Sequence, residues 1–188
     1  MTATPPSPAP VLYVIVCGAP AARHVYDLVE QAQAGGWRVC VVPTPMGARF
    51  VDTQRLEALT GYPVRTDYKQ PDDPDVLPPA DVFVVAPATF NTVNKFAHGI
   101  TDTLALGLIC EGVGYGRPVI VVPWFNKGLA CNGAYRRSLA ILQGDGITMI
   151  LTGGTHPGVS PDDNRNDPFP LASVMAELEK VVVSAGIA

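Results

Sequence analysis

The sequence predicts an α/β protein with three layers, α/β/α, built around a mainly parallel sheet. Three observations predict it. Short unbroken apolar runs, VLYVIVC at 11–17, VFVVA at 82–86 and VIVV at 119–122, read as strands buried on both faces. Apolar positions at helical spacing follow them, as with Val25, Leu28, Val29 and Ala32 after the first run. The joints are short, so strand, helix and next strand make parallel, right-handed crossovers.

A chain of 188 residues fits one domain of the usual ~100–200 residues. One domain over residues 11–188 is expected, behind a tail at 1–10 (MTATPPSPAP) whose proline and small polar residues predict disorder. Apolar residues make up 47% and charged residues 16%, with a net charge of −4. No basic stripe is available to neutralise phosphates, so no nucleic-acid partner is expected. No run approaches the ~20 apolar residues of a membrane span, and the start lacks a charged n-region, so the expectation is no membrane and a cytoplasmic location. Cys17, Cys40, Cys110 and Cys131 lie far apart without CxxC spacing, which indicates neither a metal site nor a disulfide framework. Cys17 and Cys40 sit in apolar strand patterns as buried small hydrophobes.

The elements follow in order. The first run ends at Gly18-Ala19-Pro20-Ala21-Ala22, a tight turn into a helix that lacks the full GxGxxG pattern. Arg23 and His24 follow in the first helical turn, as charges for an anion or as solvated side chains. Gly35-Gly36 closes the helix, and WRVCVV at 37–42 makes the second strand. That strand ends at PTPMGA (43–48), before a segment carrying Phe50, Leu56 and Leu59. Residues 66–79 (TDYKQPDDPDVLPP) are an acidic, proline-rich loop. Within it Asp73, beside Asp72 and Asp75, is either part of a solvated turn or a proton acceptor.

The chain is organised around residues 82–100 (VFVVAPATFNTVNKFAHGI). Pro87 punctuates the strand end, and Thr89 and Asn91 are good helix N-caps. The free N–H groups of that helix start, with its macrodipole, favour a phosphate or a carbonyl-rich ligand. Residues 102–111 continue as a helix, and the 119–122 strand ends at Pro123-Trp124-Phe125-Asn126. Asn126 is a turn or cap residue, or an amide offering both donor and acceptor to a ligand. A helix at 128–143, a last strand at 147–151, a polar loop at 153–170 carrying His156, and an amphipathic helix at 171–185 complete the chain. In such sheets ligands bind outside the carboxyl ends of the strands. Gly18, Thr44, residues 87–92 and residues 123–126 all fall at such ends, so four loops converge on one crevice.

Pro87-Ala88-Thr89-Phe90-Asn91-Thr92, followed by Asn94-Lys95, Ala97-His98-Gly99-Ile100 and Asp102-Thr103-Leu104, resembles the PASANT segment and following helix of a flavoprotein family. That family includes phosphopantothenoylcysteine decarboxylase and the lantibiotic peptidyl-cysteine decarboxylases. Pro123 to Asn126 resembles its second signature, Pro-x-Met-Asn, with Phe125 in place of Met, and Thr60-Gly61 resembles its Leu-Thr-Gly segment. The resemblance covers roughly residues 11–151. It implies a Rossmann-like fold and non-covalent FMN, held by Gly18, Ala19, Pro20, Thr44, Met46, Phe50, Pro87, Ala88, Thr89, Asn91 and Thr92. It implies that Asn126 holds a substrate carboxylate and that Asp73 stands where the family carries a histidine. It also implies a small-molecule or peptide substrate and a homotrimer or higher homo-oligomer.

Besides Phe125, the chain departs from the family at three places. The first loop has Ala19, Pro20, Ala21 and Ala22 where the family carries Ser or Thr. No histidine lies between His24 and His98, and no cysteine follows Cys131 where the family carries a substrate clamp. The implied function is an FMN-dependent, decarboxylase-like enzyme acting on a thiol- and carboxylate-bearing small molecule or peptide. The alternative is a non-catalytic FMN-binding or regulatory module that has lost the decarboxylase His and Cys. A prenyltransferase using reduced FMN is less favoured, because that branch carries a Ser-bearing, Gly-rich first loop.

Overall fold

The computed structural model describes residues 9–70, 72–152 and 169–185. Five strands, β1 (Val11–Val16), β2 (Arg38–Pro43), β3 (Val82–Ala88), β4 (Val119–Pro123) and β5 (Thr148–Met149), form one sheet in the order β2-β1-β3-β4-β5. Every strand pair is parallel. The helices are α1 (Val25–Ala34), α2 (Thr53–Thr60), α3 (Phe90–Ala97), α4 (Leu104–Gly114), α5 (Lys127–Ala130), α6 (Gly133–Gly144) and α7 (Leu171–Ala185).

Successive strand side chains point to opposite faces. Leu12, Val14 and Val16 pack with Leu28, Leu56 and Leu178, from α1, α2 and α7. Tyr13, Ile15 and Cys17 pack with Val93, Ile109 and Leu142, from α3, α4 and α6. Burial on both sides is why these strands read as continuous apolar runs rather than as alternating ones. The three layers and parallel sheet expected from the sequence are therefore present.

Several boundaries differ from the sequence reading, each for a local reason. Pro87 does not end its strand: β3 runs on to Ala88, which pairs with Pro123 of β4 after a register shift beyond Val85, and the Ala86–Pro87 peptide is cis. Gly99, at φ +64, stops α3, and Thr103 rather than Asp102 opens α4, its hydroxyl accepting the Leu106 N–H at 3.3 Å. The single helix expected at 128–143 is two. Asn132 breaks it, capping α6 by accepting the Ala134 N–H at 2.8 Å. The last strand shortens to two residues, Thr148 and Met149, registered against Ile120 and Val121 of β4. His156 and most of the 153–170 loop, together with residues 1–8 of the expected tail, lie outside the described residues. No helix among the described residues is long and apolar enough to cross a membrane.

Two hydroxyls one turn apart on α6 meet opposite fates. Ser138, wholly buried, donates to Asn94 Oδ1 at 2.7 Å, and Asn94 Nδ2 donates to the Phe90 carbonyl at 2.7 Å, tying α6 to the start of α3. The buried Tyr135 hydroxyl has no hydrogen-bond partner among the described residues, and burial pushes its pKa up to about 12. An orphaned buried group costs its desolvation, whereas breaking a satisfied pair strands the partner at about 1–3 kcal/mol. Ser138→Ala is therefore expected to destabilise by that amount, and Tyr135→Phe to be neutral or stabilising by up to about 1 kcal/mol. Denaturant midpoints of the two variants give the two signs.

Candidate functional site

The order β2-β1-β3-β4-β5 has its switch point between β1 and β3. From β1 the chain crosses outward to β2, and from β3 it crosses the other way to β4, so the loops beyond β1 and β3 splay apart and leave a crevice. That crevice has a volume of about 470 Å³ and its wall contains Gly18, Thr44, Met46, Thr89, Asn91 and Thr92, with Pro45, Lys95, Thr103 and Leu106. The size lies within the roughly 300–1,000 Å³ of small-molecule sites.

Each wall is fixed by local chemistry. After β2 the Thr44 N–H donates to the Val16 carbonyl at 2.9 Å, and Thr44 Oγ1 accepts the Gly47 N–H at 3.0 Å, folding the turn back over the end of β1. A Cβ on Gly47 would stand 2.0 Å from the Val16 carbonyl oxygen, so only glycine fits there. After β3 Thr89 caps α3, its Oγ1 accepting the Thr92 N–H at 3.4 Å and lying 3.0 Å from Thr92 Oγ1. Thr103 opens α4 onto the same space. The positive ends of two helices and four threonines thus line one crevice, and the one cation in its wall among the described residues, Lys95, is paired with Asp102. This donor set and volume fit a flat, hydrogen-bonding ring with an anionic tail. Among the described residues no cluster of His, Cys, Asp or Glu could hold a metal ion.

Behind the wall lies Cys17, wholly buried just past β1. Burial pushes its thiol pKa up, outweighing the polar neighbours Thr92 and Thr89, which favour the thiolate. The thiol is therefore protonated at neutral pH.

The remaining predicted residues sit elsewhere. Ala19 is buried and Pro20 exposed at the start of a 3-10 turn (Pro20–His24), whose first position has no side-chain cap. Pro87 and Ala88 are buried within β3, and Phe50 is exposed beyond the Thr44–Gly47 turn; none of these five joins the crevice wall. Asn126 caps α5, its Oδ1 accepting the Leu129 N–H at 3.0 Å, and is exposed at the end of β4. Asp73 is exposed and closed on its own turn, with Oδ2 accepting the Gln70 N–H at 3.0 Å and its N–H donating to the Gln70 carbonyl at 3.0 Å. Neither Asn126 nor Asp73 lines the crevice.

Lys95, Thr103 and Leu106 are wall residues that the sequence reading missed. Lys95 stands three and four positions after Thr92 and Asn91, on their helical face. Thr103 is a cap residue directly before an apolar run. Both signals are visible in retrospect.

Arg23 and His24 also stay out of the crevice wall. The His24 ring stacks on Phe169 at 5.4 Å and 12°, approaches Asp27 at 3.8 Å, and receives the Arg23 Nε–H on Nε2 at 3.3 Å. Burial first, and then the Arg23 charge, lower its pKa below the ordinary 6.5. A lowered histidine pKa contributes stability that is fully present above pH 6.5 and is lost as pH falls through the folded value. His24→Gln is expected to flatten part of the loss of melting temperature between neutral and acidic pH, read by thermal scans across that range.

Fold and crevice together define a doubly wound parallel α/β protein with a crevice of ligand size at the switch point of the sheet. The sequence profile of the Flavoprotein family matches residues 4–182, and the chain belongs to that family. It is 30% identical over 149 residues to the Probable phosphopantothenoylcysteine decarboxylase of Streptococcus mutans, covering 74% of this chain and 80% of that protein. It is 29% identical over 145 residues to the Coenzyme A biosynthesis bifunctional protein CoaBC of Bacillus subtilis, covering 73% of this chain and 35% of that protein. The chain thus spans about a third of the bifunctional relative. Among solved structures, the FMN-dependent cysteine decarboxylase TvaF from thioviridamide biosynthesis superposes with a TM-score of 0.66 at 26% identity, over 74% of this chain and 88% of that one.

Proposed function

We infer that the chain is an FMN-dependent, decarboxylase-like enzyme acting on a thiol- and carboxylate-bearing small molecule or peptide. The observation that carries this reading is the meeting of Gly18, the Thr44–Met46 turn and the Thr89–Thr92 helix start around one crevice, in a chain of the Flavoprotein family. Those residues would hold FMN: hydroxyls and the Asn91 amide hydrogen-bond the ring, and the helix starts favour its phosphate. Bound there, FMN supplies a two-electron acceptor for oxidation of the substrate, which makes its carboxylate a leaving group.

The chain's own residues do the positioning. The Asn126 oxygen is committed to Leu129, which leaves the side-chain NH2 to donate to a substrate carboxylate. Asp73 stands as a proton acceptor only if its turn opens. The domain occupies residues 11–188 and works in the cytoplasm as a homotrimer or higher homo-oligomer.

A second reading, an FMN-binding or regulatory module without turnover, is favoured by one observation: the Asp73 carboxylate is occupied by its own turn. Purified protein is expected to be yellow with a flavin spectrum and to release carbon dioxide from a cysteine-terminated peptide or from phosphopantothenoylcysteine. A yellow protein that releases none from either is the binding module. A colourless protein that takes up no added FMN overturns both readings. In the enzyme, Asn126→Asp is expected to abolish turnover while FMN stays bound; unchanged turnover removes Asn126 from the substrate site.

A further inference from the structure

Lys95 stands in the crevice wall, and among the described residues no carboxylate shares that wall with it. Its partner lies outside. The Lys95 ammonium donates to Asp102 Oδ2, with the lysine side chain 28% and the aspartate side chain 50% exposed. Asp102 directly precedes Thr103, the cap of α4, so its carboxylate also sits at the positive end of that helix.

The chain between the two residues brings them together. Gly99, at φ +64, turns the backbone at the end of α3, and the Lys95 carbonyl accepts the His98 N–H at 3.1 Å and the Ile100 N–H at 3.0 Å. The Tyr68 hydroxyl lies 3.3 Å from the Thr101 carbonyl oxygen and 3.2 Å from that of Thr103, so its one proton serves the two peptide groups on either side of Asp102. Asp102 is thus fixed by its backbone, and the long lysine side chain comes to it.

An ammonium and a carboxylate in contact leave no net charge, and their fields largely cancel at a distance. The other polar wall residues, Thr44, Thr89, Asn91, Thr92 and Thr103, are uncharged. We propose that Asp102 is a specificity-determining positioning residue: by neutralising Lys95 from outside the wall, it makes the crevice select a ligand by its hydrogen-bonding ring and hold any anionic tail with uncharged donors. Without that carboxylate the same crevice shows a full positive charge and takes up anions more tightly. For flavin as the ligand the inference rests on the FMN reading above.

The test uses the full chain and two flavins, FMN with its phosphate and riboflavin without one, titrated at low salt. Asp102→Asn keeps an oxygen for the ammonium and drops the charge. It is expected to tighten FMN by about three- to tenfold and to leave riboflavin within about twofold. Lys95→Met leaves the carboxylate unbalanced and is expected to weaken FMN relative to riboflavin by a similar factor. The double variant is expected to return the ratio of the two affinities to within about twofold of the parent, and 1 M salt, with a screening length of about 3 Å, to shrink both single effects. A pair that only braces α3 against α4 would lose affinity for both flavins in every variant. An unchanged ratio in Asp102→Asn, or a ratio that moves the same way in both single variants, overturns the proposal. Should Asp102→Asn fail to fold, Asp102→Ser removes the same charge and has the same expectation.

A readout without flavin keeps this inference separate from the functional one. The rise in melting temperature given by inorganic pyrophosphate is expected to be largest in Asp102→Asn, intermediate in the parent and smallest in Lys95→Met. Equal rises in the three proteins overturn the proposal even where the protein is colourless and takes up neither flavin.

Discussion

Replacing Gly47 by alanine is expected to destabilise the protein by about 1–3 kcal/mol, the scale of an overpacked site, and to weaken FMN binding at least about tenfold. The new methyl would meet the Val16 carbonyl oxygen at 2.0 Å, the Val16 carbonyl carbon at 2.9 Å and Thr44 Oγ1 at 3.1 Å. Two of those three atoms are backbone in the sheet, so the turn must move instead. Moving it breaks the Thr44–Gly47 hydrogen bond and shifts Thr44 and Met46, both in the crevice wall. Gly18→Ala is the comparison for stability. Its methyl would meet Met46 Cγ at 2.4 Å, and Met46 Cβ and carbonyl carbon at 3.1 and 3.2 Å, so the worst clash is with a side chain that is 52% exposed and can swing aside. Denaturant unfolding on the two variants separates a rigid clash from a yielding one, and FMN titration of Gly47→Ala reads the shift of the wall. Equal, small effects would show that the 44–47 turn is not a fixed wall.

The second large effect is in the sheet. Ile120→Ala is expected to cost about 2–5 kcal/mol, the range for emptying a well-packed core position. Ile120 is wholly buried in β4, registered against Val84 of β3 on one side and Thr148 of β5 on the other. Strands flank it on both edges, so collapse into the cavity is restricted and the upper half of that range applies. Met149 in the two-residue edge strand is only partly buried, and its replacement by alanine should cost less. Urea midpoints at a common m-value give both numbers. A loss under about 1 kcal/mol for Ile120→Ala would mean that the core relaxes far more readily than its burial implies.

Much of the fold was legible because its signals are local. Buried parallel strands announce themselves as apolar runs, and β1, β3 and β4 were found that way. The edge strand β5 was overextended, since the run 147–151 says nothing about how far its ladder with β4 extends. The division of the 128–143 segment into α5 and α6 depends on Asn132 acting as a cap rather than as an ordinary helix residue, a choice between two local hydrogen bonds that periodicity does not register. The site divides in the same way. Gly18, Thr44, Thr89, Asn91 and Thr92 could be placed because strand ends in a parallel sheet share one rim. Asp73 was placed by counting along a loop, and loops of that length follow their own hydrogen bonds: its carboxylate turned to Gln70. Thr103 and Leu106 reach the crevice only because the chain climbs back to the rim between α3 and α4, a return that no short window of sequence records.

The crevice draws its walls from Gly18, residues 44–46, Thr89, Asn91, Thr92, Lys95, Thr103 and Leu106, which belong to three successive connections of the chain. A molecule seated there works as a cross-brace, tying together segments that otherwise fray independently. At a ligand concentration a hundredfold above its dissociation constant, such a brace adds about 2.7 kcal/mol to the unfolding free energy. Loaded and empty protein should then differ as substrates for a protease, with the earliest cuts in the empty form falling at the rim that the brace would have held.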